Sequence, residues 1–98
     1  MSSESENDRK RKKTMKLAEK WWGYWCVIDS GQIYVGNSDY RALEKDHDEL
    51  MAYGKEHGTL LDVLQELLER EEEYDETYSQ VVALQRIVKE VSLELASK

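Results

Sequence analysis

From Thr59 to Lys98 the chain contains neither Gly nor Pro, and apolar residues recur there at helical spacing around a dense acidic block. The two residue types that interrupt helices most strongly are missing from the whole stretch. Thr59-x-x-Asp62 has the form of a capping box at its start. Leu60, Leu64, Leu67, Glu71, Tyr74 and Tyr78 follow at alternating steps of four and three, and the seam continues through Val81, Leu84, Val88, Val91 and Leu95. Two consecutive steps of three, from Tyr78 through Val81 to Leu84, break a strict heptad. The pattern therefore admits one bent helix of about 38 residues, about 57 Å long. It also admits two helices broken near Asp75–Thr77, with Thr77-x-x-Gln80 capping the second. A broken or kinked form fits the slip in the seam better.

Such a stripe must be covered by the rest of the chain, by a second copy or by another protein. The chain is 98 residues long, has no Phe or Pro, and is 40% apolar and 36% charged. A domain of that size buries only about two-thirds of its unfolded surface, so association would help it. The expected association seam is Leu60, Leu64, Leu67, Tyr74, Tyr78, Val81, Leu84, Val88 and Val91, used in a homodimer.

Upstream, residues 1–13 read as a flexible charged arm and 14–98 as one small domain, with 59–97 as its association element. Ser3-x-x-Glu6 could cap a helix spanning roughly residues 10–22, with Met15, Ala18, Trp21 and Trp22 on one face and Gly23 as its stop. Tyr24–Ile28 is rich in aromatic and β-branched residues, Asp29-Ser30-Gly31 is turn chemistry, and Gln32–Val35 reads as a return strand. Together these predict a β-hairpin. Asn37 or Ser38 would cap the next helix, whose stripe is Tyr40, Leu43, His47 and Leu50; Gly54 weakens its end and Gly58 terminates it. The expected fold is thus α+β and mostly helical, in the order α-β-β-α-α(-α), with the hairpin flanked by helices.

Charge is unevenly placed. Residues 1–20 hold seven Lys/Arg and four acids, a net of +3; the remainder of the chain nets -10, giving -7 in total. An acidic body with a basic arm can bind two kinds of partner, or its own arm. Asp62, Glu66, Glu69, Glu73 and Glu76 recur at steps of four and three and form one line of carboxylates. That line is either a solvated face or a surface for a basic partner. A rigid row of carboxylates can imitate a phosphate row and compete for the groove of a nucleic-acid-binding enzyme, a device used by small phage-encoded inhibitors. The basic arm, Arg9, Lys10, Arg11, Lys12 and Lys13, admits three readings: solvated tail, contact with nucleic acid or an acidic partner, or nuclear-import signal.

Trp21, Trp22 and Trp25 read first as core; three rings are more than one helix and a hairpin can hide, so at least one is expected as an anchor at an interface. Glu44-x-x-His47 has the spacing found in carboxylate-bridged di-metal bundles, but only one copy is present; a symmetric dimer could supply the second, with Glu71 as a further ligand. The simpler reading pairs His47 with Glu71 and leaves Asp46 and Asp48 in solvent. No metal, cofactor or catalytic residue is expected: the single Cys26 reads as packing in a strand, away from His47 and His57, and gives no zinc spacing. A lone cysteine, the lack of an apolar leader and the lack of a ~20-residue apolar run point to a cytoplasmic protein, the nucleus left open by the basic cluster. The sequence therefore predicts a non-enzymatic, adaptor-like regulatory protein that acts through its C-terminal helix. An acidic inhibitor of a nucleic-acid-binding enzyme is the alternative, and a nucleic-acid-associated protein using the basic arm a further one.

Overall fold

A computed structural model describes residues 5–30, 37–74 and 77–97, and every element among them is a helix. α1 spans Glu6–Ser30, α2 Asn37–His57, α3 Leu60–Glu72 and α4 Ser79–Ala96. The α+β reading is therefore corrected. Tyr24–Ile28, expected as a strand, is the last part of α1; Gln32–Val35 lies outside the described residues. The strand-like composition of that segment is overridden by spacing. Leu17, Ala18, Trp21, Trp22 and Trp25 fall on one helical face, all but half-buried Trp25 are buried, and Trp25 stacks on Trp22 at 4.9 Å between centroids and 6° between planes. Burying such rings on a helix outweighs a strand preference worth at most ~1 kcal/mol per residue.

α1 also begins earlier than residue 10. Ser5 Oγ accepts the Asp8 backbone N–H at 3.2 Å, and Glu6 and Asp8 occupy the first turn, where the helix dipole favours acids. Gly23, expected as a stop, sits inside the helix on its exposed side.

The end of α2 follows the sequence closely. Gly58 has φ +70, the Thr59 N–H donates to Gly54 O at 3.0 Å, and the Gly58 N–H donates to Lys55 O at 3.3 Å. This is the paired closure that a left-handed residue after a helix makes possible. Gly54 lies within the last turns of α2, where its missing side chain lets the backbone of Leu60 approach. Thr59 starts α3, but its side chain makes no capping bond. Its hydroxyl instead meets the buried Thr14 hydroxyl at 2.6 Å, and Thr14 donates to Lys10 O at 2.8 Å. The second expected cap is also displaced: Tyr78 precedes α4 without a side-chain bond, and Gln80 Nε2 donates to Cys26 O at 3.4 Å.

Cross-helix pairs set the directions. Lys13 lies over the Tyr53 ring and Lys20 pairs with Asp46, so α1 and α2 are antiparallel. Thr14 meets Thr59 and Glu19 meets Arg70, so α1 and α3 run the same way. α4 returns along α3 and packs chiefly on it. Leu17, Ala18, Trp21, Trp22, Leu50, Leu60, Val63, Leu64, Leu67, Leu84, Val88 and Val91 form one core shared by all four helices.

Candidate functional site

The expected seam is where the structure answers most clearly. Leu60, Leu64, Leu67, Val81, Leu84, Val88 and Val91 are all buried inside the single chain. The stripe after Thr59 is split between α3 and α4, which fold back on one another and are roofed by α1 and α2. Of the three possible covers for that stripe, the rest of the chain supplies it. Tyr74 and Tyr78 are the exceptions: they lie at the α3–α4 corner and are 84% and 52% exposed. With Glu71 and Val81 they line a hollow of about 470 Å³. Val82 and Leu93 are also exposed, and helical spacing puts them on the side of α4 that carries Tyr78. Arg86 and Lys89 stand between them on that outer side.

The acidic line and the basic arm face each other. Asp62 and Glu69 are exposed on α3, Glu73 is exposed at its C-cap, and Glu76 lies outside the described residues. Glu66, the second of the line, pairs with Arg11 of α1. Arg70 pairs with Glu19 at 3.1 Å. Lys10 pairs with Glu6 at 3.4 Å, and Lys13 sits 4.5 Å from the Tyr53 centroid. Arg9, Lys10, Arg11, Lys12 and Lys13 are thus the first turns of α1, and part of their charge is spent within the chain. Exposed ion pairs of this kind are each worth about 0–1 kcal/mol, so they orient α1 on α3 more than they hold it there.

The three tryptophans divide between core and surface. Trp21 and Trp22 are buried, with centroids 5.8 Å apart; Trp25 is half-buried. Trp21 and Trp25 form part of the floor of a groove of about 540 Å³ that opens between α2 and α4. Leu43, Leu50 and Met51 continue the floor from α2, Leu64 from α3, and Ile87 and Val91 from α4. Its walls carry acids: Glu44 and Asp48 on α2, Glu90 and Glu94 on α4. One end is tied by the Lys55–Glu94 ion pair.

This groove is the feature sequence reasoning misses. Its signal is present as Leu43, His47 and Met51 on one helix and Ile87, Glu90, Val91 and Glu94 on another, each set at helical spacing. His47 lies on the groove wall, with Nδ1 3.7 Å from Asp48 Oδ1 and its ring 5.8 Å from Trp21. The expected pairing with Glu71 is not formed: Glu71 lines the corner hollow instead. Asp46, expected in solvent, is buried at 2% exposure, with one carboxylate oxygen 3.3 Å from Lys20 Nζ and the other without a partner. Tyr40, placed in the buried stripe of α2 by its spacing, is exposed. Cys26 is half-buried and forms no disulfide among the described residues.

Among the described residues, no group of three or more His, Cys, Asp or Glu is arranged to hold a metal ion, and no helix is long and apolar enough to cross a membrane. Compared with protein families, curated proteins and solved structures, the chain has no match.

Proposed function

We propose that this chain is a non-enzymatic interaction protein that regulates or bridges others, and that it associates through the outside of its C-terminal helical pair as a homodimer. The observation that supports this is the apolar surface left there once the seam has been used internally. Tyr74, Tyr78, Val82 and Leu93 are exposed along one corner and one helix face. Tyr is a favoured contact residue because it adds large area with few rotatable bonds. A second copy would bring the same corner against its own, each Tyr covering the hollow beside its counterpart. A lone cysteine in no disulfide fits life in a reducing compartment.

The acidic-inhibitor reading draws on Asp62 and Glu69, exposed on α3, and Glu73, exposed at its C-cap. It is the weaker reading, because Arg11 sits on Glu66, the second carboxylate of the row, and breaks the run of negative charge that a phosphate mimic needs. The basic arm is weaker still as a nucleic-acid contact, since Arg11 already has an acidic partner within the chain.

The association is tested by sedimentation velocity on the wild type and on a Tyr78→Glu, Val82→Glu variant, at on the order of tens of micromolar, where an interface of ordinary size is occupied. The wild type is expected to sediment as a dimer and the variant as a monomer with unchanged helical content. A wild type that is monomeric throughout that range removes the homodimer.

A further inference from the structure

We propose that the groove between α2 and α4 is a docking site for a basic amphipathic helix of another protein, a role separate from the outer association surface. The floor and the walls ask for different chemistry. The floor is apolar and aromatic, with half-buried Trp25, Leu43 and Ile87 open to whatever enters and buried Trp21 and Val91 beneath them. The walls are acidic on both sides, and the carboxylates sit one helical turn apart on each: Glu44 and Asp48 on one, Glu90 and Glu94 on the other.

Charge explains why the groove is not closed by the chain itself. Bringing α4 onto α2 would press two acidic rows together, and like charges across a narrowing gap repel. Within the chain that repulsion is answered at one end, where Lys55 crosses from α2 to Glu94. Asp48 has only the neighbouring His47, and Glu44 and Glu90 have no cationic partner among the described residues. A partner that places Lys or Arg along both walls extends the Lys55 contact down the groove.

Size and shape argue for a helix. From Leu43 to Met51 and from Ile87 to Glu94, each wall presents about two turns, roughly 10–12 Å of length at 1.5 Å per residue. Two turns of an amphipathic helix offer apolar side chains at i, i+3, i+4 and i+7 on one side and flanking positions on both, the arrangement by which helices fill hydrophobic grooves. Lys or Arg at the flanks meets the carboxylates, and a cation above the half-buried Trp25 gains a further contact with the ring face.

A fluorescein-labelled peptide of about 14 residues, helical when bound, supplies the probe: Leu on one face and Lys on both flanks, against the same peptide with Glu in place of Lys. Anisotropy should show saturable binding of the Lys peptide alone, and an unlabelled copy should change tryptophan emission, since Trp21 and Trp25 line the groove. Glu44→Lys with Glu90→Lys should weaken binding about tenfold or more, while reversing two exposed acids outside the groove, Glu49→Lys with Glu56→Lys, should change it by less than about threefold. Raising salt from about 50 mM to about 500 mM should weaken it by about tenfold. Equal binding of the Glu peptide, or equal loss from the two double reversals, would overturn the proposal. Circular dichroism of each variant separates lost binding from lost folding. Repeating the titration on the monomeric Tyr78→Glu, Val82→Glu variant keeps this result apart from the association reading: the groove is intact there and binding should persist.

Discussion

Gly54 and Gly23 both stand inside helices, yet a methyl group added at each should act in opposite directions. At Gly54 a Cβ would lie 2.9 Å from Leu60 Cβ and 3.2 Å from Leu60 Cα. Leu60 is fully buried and its backbone opens α3, so it has nowhere to yield. At Gly23 nothing lies within 4 Å and the position is exposed. Gly54→Ala should therefore cost about 1–3 kcal/mol through overpacking, and Gly23→Ala should gain about 0.5–1 kcal/mol through helix propensity. Urea unfolding of the two variants checks both signs, and a gain at Gly54 would mean that α2 and α3 do not meet as described. Much at this scale was legible: Gly58 as terminator and Thr59 as the residue before α3 both follow from local chemistry. The partners of Thr59 and Asp46 were not, because each bonds across to α1, and no local spacing encodes that.

Elements were misread where composition and period disagree. The run Tyr24–Ile28 has the residue types of a strand, but the tryptophans around it keep helical spacing, and period is the stronger signal when a continuous core face results. The break after Thr59 was readable from the slip in the seam at Tyr78–Val81–Leu84, and the chain does form two helices there. What spacing could not separate was the inner use of the seam from its outer remainder. Leu84 and Tyr74 belong to one pattern in the sequence; one is fully buried and the other stands in solvent. Leu84→Ala should cost about 2–5 kcal/mol, whereas Tyr74→Ala should fall within about 0.5 kcal/mol. Thermal or denaturant unfolding of the two, at concentrations where the chain is monomeric, gives the comparison. Similar costs at both positions would place the seam outside the chain.

The whole molecule resolves a tension that its composition sets up. A short acidic chain with a basic start and a long apolar stripe was expected to need a partner for both features. Its helices settle part of each internally: α1 lays Arg11 against Glu66, and α3 and α4 close their shared stripe beneath α1 and α2. What is left over is the Tyr corner with the outer side of α4, and the acid-walled groove. The groove was not legible because its walls lie far apart in sequence and meet only once α4 has packed on α3. One chain covers its own seam, and the proposed association lies outside it. Following the far-ultraviolet helical signal and the sedimentation coefficient together through a dilution series tests this most directly. The sedimentation coefficient is expected to fall to that of a monomer while the helical signal stays constant. A helical signal lost in step with dissociation would contradict it, since the seam would then be shared between chains.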